Sequence, residues 1–195
     1  MLNLFDFNNE DLSFLIDQVG KSVKVNNVEK VILITGKSIG EFEERYIHST
    51  EMIKRGAMIE WNNNKYLVTS ETLEKRGGKY KAVIRSCNAQ IEFEKYNKVF
   101  IGNDPRTGQP IYKDEYIGTE YVNAIVDKKS LSIATGEAIN TVDNEFILKV
   151  QDNSINRTNF ALNATFKMYN QTWKVDNHDY TKKGILEVSI TSEIN

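Results

Sequence analysis

Histidine and cysteine, the side chains that most often carry catalysis or hold metals, are scarce in this 195-residue chain, which has two of the first and one of the second. The single Cys87 excludes an internal disulfide and fits a reducing compartment or a fold that needs no crosslink. No apolar run approaches the roughly 20 residues of a membrane-spanning helix. The opening stretch MLNLFDFNNEDLSFLIDQVG lacks the basic start of a secretory signal, and Asp6, Glu10 and Asp11 interrupt its apolar positions. A net charge of −2 gives no chain-wide attraction to nucleic acid or to an anionic membrane, although it leaves room for a local basic face. A soluble product, made or assembled inside a cell, is expected.

What is present reads as ordinary globular protein, with 40% hydrophobic and 27% charged residues and enough length for one large domain or two small ones. Leu12, Leu15, Ile16 and Val19 share one face of a helical period, with Asn8 or Asn9 as cap, acidic residues at the start and Gly20 at the end. This predicts a short N-terminal helix that docks by its apolar face. EKVILITG then reads as a strand. In the next stretch Ser38 and Glu41 have capping-box spacing, which would allow a helix from about residue 39. The alternation of Tyr46, His48, Thr50 and Met52 favours a strand instead, and that reading is preferred.

From Arg55 onward the pattern is almost wholly β. Residues 55–68, RGAMIEWNNNKYLV, read as a hairpin through an Asn turn, and residues 163–175, NATFKMYNQTWKV, read as a second. A shift of 107 residues aligns Ile59 with Phe166, Trp61 with Met168, Tyr66 with Trp173 and Val68 with Val175. Each hairpin then passes through a charged, glycine-bearing loop into another β-run, YKAVI or ILEVSI. Both prolines fall in IGNDPRTGQPIY, which reads as an exposed loop with a type I turn at Asp104 to Gly108. Three further strands are expected in EYIGTEYVNAIVD, KSLSIATG and NEFILKV. The resulting expectation is a mainly β chain of small barrel or sandwich modules with a short N-terminal helix, divided as 1–37, 38–115 and 116–195.

Chemistry is hard to find. Neither histidine sits in a G-x-S-x-G or H-E-x-x-H setting. Asp176, His178 and Asp179 lie close enough in sequence to converge on a metal only if they occupy a loop, and a solvated turn is the plainer reading. Cys87 alternates with the apolar face of VIRSCNAQIEF and reads as a small half-buried side chain rather than a nucleophile. GNDPRTGQP has glycines but neither a GK[ST] motif nor a following helix, so no phosphate cradle is expected. Three Asn-x-Thr sequons, at Asn156, Asn163 and Asn170, follow from the abundance of Asn and are not read as glycosylation sites. Lysine and arginine are scattered over loops, and Lys79 and Lys81 are the candidate residues for a sequence-independent contact with DNA phosphates.

The stretch RYIHSTEMIKRGAMIEWNNNKYLV followed by YKAVIRSCNAQIEF resembles head–tail connector (neck) proteins of tailed phages of low-GC Gram-positive bacteria. The counterparts here are Arg55-Gly56, Asn62 to Asn64, Tyr66-Leu67-Val68 and Arg85-Ser86-Cys87-Asn88, with a later FILKVQDN strand and the closing hairpin. The likeness spans roughly residues 45–190; it departs at Ala57, where an acidic residue is usual, and in the N-terminal segment. The resemblance implies a structural virion protein: a homo-oligomeric ring in the neck, bound to portal or adaptor on one side and tail terminator or tail proteins on the other. It implies no catalytic residues, metal or cofactor. It places the protein in the virion, assembled in the bacterial host cytoplasm, with no membrane partner and with non-specific contact to packaged DNA as an option. A tail or baseplate component built on the same modules is the alternative. A small hydrolase using Asp176, His178 and Asp179 is a more distant one.

Overall fold

The computed structural model describes residues 10–75, 78–128 and 145–192, and the side chains from residue 13 onward in the first of these segments. Seven strands form the first sheet: β1 (Lys21–Val25), β2 (Val28–Gly36), β3 (Glu44–Ser49), β4 (Met58–Trp61), β5 (Asn64–Val68), β6 (Leu73–Lys75) and β7 (Lys79–Ser86). Their order is β3-β2-β1-β4-β5-β7-β6, and pairing of β3 with β7 closes six of them into a ring, leaving β6 as a short flap on β7. Six more follow: β8 (Ala89–Asn103), β9 (Pro110–Lys128), β10 (Glu145–Gln151), β11 (Thr165–Met168), β12 (Gln171–Asp179) and β13 (Ile185–Ser192). They close in the order β10-β13-β12-β11-β8-β9. Closure removes the exposed strand edges that would otherwise template aggregation.

The two rings have the same connectivity. Walking round each, the first, second and third strands are followed by the last strand and then by the hairpin of the fifth and fourth strands, which closes on the first. The 107-residue shift holds at the level of single hydrogen bonds. Ile59 pairs with Tyr66 and Phe166 with Trp173. The Val68 amide donates to the Ala57 carbonyl at 3.0 Å, as Val175 does to Ala164 at 3.0 Å. The amides of Gly56 and Asn163 donate back to the carbonyls of Val68 and Val175, each at 2.9 Å. Just upstream, Ile53 and Phe160 fill their barrels at matching positions. The chain therefore writes its hairpin device twice because it builds the same barrel twice.

Asparagine makes these hairpins tight. Two-residue turns of the type that match strand twist need positive φ at both central residues. Asn62–Asn63 supply 48° and 63°, and Tyr169–Asn170 supply 53° and 59°. A third such turn, Asn26–Asn27 at 47° and 69°, joins β1 to β2.

Alternating strand residues fill each core. Val23, Ile32, Ile47, Ile59, Tyr66 and Ile84 pack in the first barrel. In the second, Phe160 meets Phe93 and Phe166 edge-on at 5.1 and 5.3 Å, and the buried Trp173 indole donates to the Met168 carbonyl at 2.8 Å. Where three consecutive residues are buried, the strand is covered on both faces. In β5 Tyr66 and Val68 face the barrel while Leu67 faces outward, and in β9 Ala124 and Val126 flank an outward Ile125. Leu67, Ile125 and Ile185 meet as a third apolar cluster between the barrels, with Met58 and Cys87 against it. Three fully buried aliphatic side chains contribute on the order of 6 kcal/mol to holding the barrels together.

Polar contacts complete this joint. Arg85 of β7 donates to both carboxylate oxygens of Asp127 of β9, at 3.0 and 2.5 Å, and Lys149 of β10 adds a third contact at 2.7 Å. Burial pushes the Asp127 carboxyl upward, but the Arg85 and Lys149 bonds outweigh it and leave the group below its ordinary value. Asn88, which with Cys87 makes the whole link between β7 and β8, uses its side-chain amide like a strand neighbour. It donates to the Val126 carbonyl at 2.9 Å and accepts from the Val126 amide at 2.7 Å. Gly56, at φ +84°, and Gly184, at φ +91°, bring the two backbones into contact, so that a Cβ on Gly56 would lie 1.7 Å from the Gly184 oxygen.

Several expectations change. The division placed between residues 115 and 116 falls inside β9, and the sheets part instead at the two-residue link after Ser86. No helix starts near residue 39; residues 37–43 are irregular, and β3 takes the stretch that Tyr46 and His48 marked. The N-terminal helix is present as α1 (Glu10–Val19), and its last turn closes by the Gly20 amide donating to Ile16 at 2.8 Å. Of its expected face Ile16 is buried and Leu15 and Val19 stay exposed, with α1 packed against β2. IGNDPRTGQPIY is half strand: β8 runs to Asn103 and β9 starts at Pro110, whose missing amide is tolerated on an outer edge, and the turn expected at Asp104 to Gly108 lies between them, the Gly108 amide donating to the Asp104 carbonyl at 2.7 Å. The strand expected in KSLSIATG lies outside the described residues.

Gly56→Ala is expected to lower stability by about 3 kcal/mol or more, combining the left-handed strain with a clash against rigid backbone. Gly36→Ala, at a position with nothing within 4 Å of the added carbon, is expected to stay within about 0.5 kcal/mol. Paired urea melts of the two variants check this contrast.

Candidate assembly surfaces

Three features of the described surface bear on function, and the fold treats each differently. The first is the β8–β9 hairpin. Ala89 to Phe93 and Glu120 to Ala124 belong to the second barrel, with Ile91, Val122 and Ala124 in its core. Beyond them the two strands leave the barrel together as a ribbon. Every residue from Tyr96 to Ile101 and from Pro110 to Ile117 is exposed, on both faces. On one face Tyr96 pairs with Tyr116, Lys98 with Asp114 and Phe100 with Tyr112. The two aromatic pairs meet edge-on, with centroids 5.8 and 5.9 Å apart. Asp104 closes the tip, its carboxylate accepting from the Arg106 and Thr107 amides at 2.7 and 3.3 Å; those bonds hold it below the usual carboxylate range. Four rings, each about half exposed, leave on the order of 400 Å² of aromatic surface in water. That alone is within the roughly 300–600 Å² of the largest apolar patch on a typical monomer, before Val99, Ile101, Ile111 and Ile117 are added.

The second place is the basic strip. Lys79 stands opposite Lys75, and Lys81 opposite Leu73, in the β6–β7 ladder, so the three lysines share one face of that flap. The Lys81 ammonium lies 3.7 Å from the Tyr46 ring centroid, a cation–π contact on a half-buried side chain. His48 accompanies it across β3, with Thr35 Oγ1 at 3.1 Å from Nε2. Burial first, and the Lys81 charge second, hold this imidazole below its ordinary pKa. Lys79 and Lys81, which the sequence singled out, are thus neighbours on one surface. Lys75, four residues before Lys79, joins the strip because the β6–β7 pairing sets it on the same face.

The third place holds the residues with catalytic potential, and the fold separates them. His178 sits in β12 with both ring nitrogens engaged: Nε2 donates to the Phe160 carbonyl at 2.5 Å, and Nδ1 accepts from the Tyr180 hydroxyl at 3.3 Å. Asp179 accepts from the Thr181 amide at 2.7 Å, and this bond lowers its pKa. Asp176 occupies the irregularity where the β12–β13 register slips between Val175 and Asn177. Among the described residues no group of three His, Cys, Asp or Glu side chains is placed to hold a metal. Cys87 lies in the joint, 4.0 Å from the Met58 sulfur, and burial pushes its thiol up to about 12 against the smaller opposing pull of Arg85 and Lys65. No described helix is long and apolar enough to cross a membrane.

Comparison with known families matches both halves of the chain. Residues 3–86 fit the model of the YomX N-terminal domain, and residues 90–191 fit that of the YomX C-terminal domain. The boundary between the two matches falls on the Cys87–Asn88 link, where the barrels part. No curated protein and no solved structure matches the chain.

A thiol held near 12 has roughly a thousandth of the thiolate of a free cysteine at mildly alkaline pH. Labelling of Cys87 by a thiolate-selective reagent is therefore expected to be slower by about that factor in the folded protein, and to reach the free rate in urea. Rapid labelling of the folded chain would contradict the packed joint.

Proposed function

We propose that this chain, which belongs to the YomX family of phage-derived proteins, is a structural component of the virion rather than an enzyme. In this reading it forms a homo-oligomeric ring in the head–tail connector, between portal or adaptor and the tail proteins, and helps retain packaged DNA. It is then assembled in the bacterial host cytoplasm and resides in the neck. The observation that carries the reading is the combination of two closed barrels, fixed to each other by direct backbone contact, with an apolar ribbon that neither barrel covers. A ring component must keep its shape under load while presenting extensions to its neighbours, and this build supplies both. The strip of Lys75, Lys79 and Lys81 suits a channel wall that holds DNA by its phosphates without reading sequence.

Electron microscopy of particles from cells with the gene inactivated tests the assignment. Full-sized heads that are empty or leaking, alongside separate finished tails, are expected. Normal heads with stunted or fibre-less tails would move the protein to the tail or baseplate, and complete infectious particles would overturn both structural readings in favour of the Asp176, His178 and Asp179 alternative.

The channel placement has its own test. Lys79→Glu with Lys81→Glu is expected to leave particle assembly intact and to lower the fraction of DNA-filled heads several-fold. Unchanged DNA retention would remove the lysines from the channel.

A further inference from the structure

We infer that the β8–β9 ribbon is the surface by which copies of this chain join, β8 of one copy pairing edge to edge with β9 of the next. Past the barrel, the ribbon has two open edges among the described residues. The outer edge of β8 meets β11 at Glu92 and pairs with no described strand from there to its end, and the outer edge of β9 pairs with none until β10 takes it up at Ile125. An isolated two-stranded ribbon is at best marginally stable in water, and a row of free amides and carbonyls is a template for another strand.

The occupant that fits is a second copy. Along the ribbon, residues 96–103 of β8 carry Lys98 as their one charge, whereas residues 110–118 of β9 carry Lys113, Asp114 and Glu115 and are net acidic. A β8 edge therefore meets a β9 edge with opposite charge. Within one hairpin Lys98 already stands across from Asp114, with Tyr96 facing Tyr116 and Phe100 facing Tyr112. Setting a neighbour's β9 on the free edge of β8 repeats this antiparallel ladder, with both ribbons pointing the same way. It also lays the aromatic pairs side by side into a continuous apolar band. The contact is head-to-tail, so it propagates from copy to copy and ends only by closing into a ring. Pairing itself is independent of where in the particle the protein sits; closure into a ring rests on the function proposed above.

Sedimentation equilibrium and hydrogen exchange on the purified chain test the pairing. Self-association at micromolar to high-micromolar concentration is expected, with the amides of residues 96–101 and 111–117 gaining protection as concentration rises. A variant with residues 98–114 replaced by Asn-Gly keeps the Asn97–Glu115 register with a two-residue turn and is expected to be monomeric. Lys98→Glu, at an exposed position that leaves the barrels untouched, is expected to weaken association by about two- to fivefold per contact. The double swap Lys98→Glu with Asp114→Lys restores it, and in a mixture swapped and wild-type copies pair less with each other than with their own kind. A monomeric wild type overturns the inference. So does undiminished association of the shortened variant, association that leaves the ribbon amides exchanging freely, or free mixing of the swapped and wild-type copies. None of these outcomes alters the particle phenotype that tests the neck assignment, so the two fail separately.

Discussion

The Gly184 carbonyl occupies the space where any side chain at residue 56 would begin, and the rest of the joint is arranged around that approach. Two backbones this close bring the outward faces of β5, β9 and β13 within reach of one another, so that Leu67, Ile125 and Ile185 bury one another. The same approach sets the spacing at which Arg85 can reach Asp127 with both nitrogens, and at which Arg55 can donate to the Lys183 carbonyl at 2.9 Å. With a link of two residues between β7 and β8, hinge motion between the barrels has no slack to draw on. The contact that opposes domain motion, the default for two-domain chains, is made at residues whose side chains are single hydrogens.

The duplicated unit explains why that position is glycine in one copy and not in the other. Gly56 and Asn163 occupy equivalent sites, both with positive φ, and both return a hydrogen bond to the end of the second hairpin strand. The backbone conformation alone admits asparagine. Asn163 is exposed and carries its side chain freely, while residue 56 faces the other barrel and has no room for one. Conformation is inherited by the repeat; the side chain is set by what each copy touches.

This bears on what could be read from residues alone. The hairpins and their 107-residue echo were legible because period-two alternation and Asn at turn positions are local signals. Ring closure was not, since the β3–β7 contact depends on partners distant in sequence. The joint did leave a trace, in runs such as Tyr66-Leu67-Val68 where alternation gives way to consecutive burial. The ribbon was obscured by its own tip, because Gly102, Asp104, Pro105, Gly108 and Pro110 all speak for a loop. Its signal was the symmetry of Tyr96, Lys98 and Phe100 against Tyr112, Asp114 and Tyr116 about that tip. For α1 the helical period named the residues sharing a face without saying whether anything covers them, and Ile16 is buried where Leu15 and Val19 are not.

In the first barrel the strands equivalent to β8 and β9 are β1 and β2, joined by the short Asn26–Asn27 turn. The ribbon is that same hairpin drawn outward, with the barrel beneath it unchanged in connectivity. Reach has thereby been uncoupled from folding. Residues inserted where the ribbon leaves the barrel, before Tyr96 and after Tyr116 in matched numbers, would extend the projection by about 3.3 Å per pair without disturbing a core position. Because side chains alternate, a single added pair would turn the aromatic face over, and two would restore it. Such a hairpin behaves as a ruler graduated in steps of roughly 7 Å, which can be lengthened or cut back in evolution while the body that carries it stays the same.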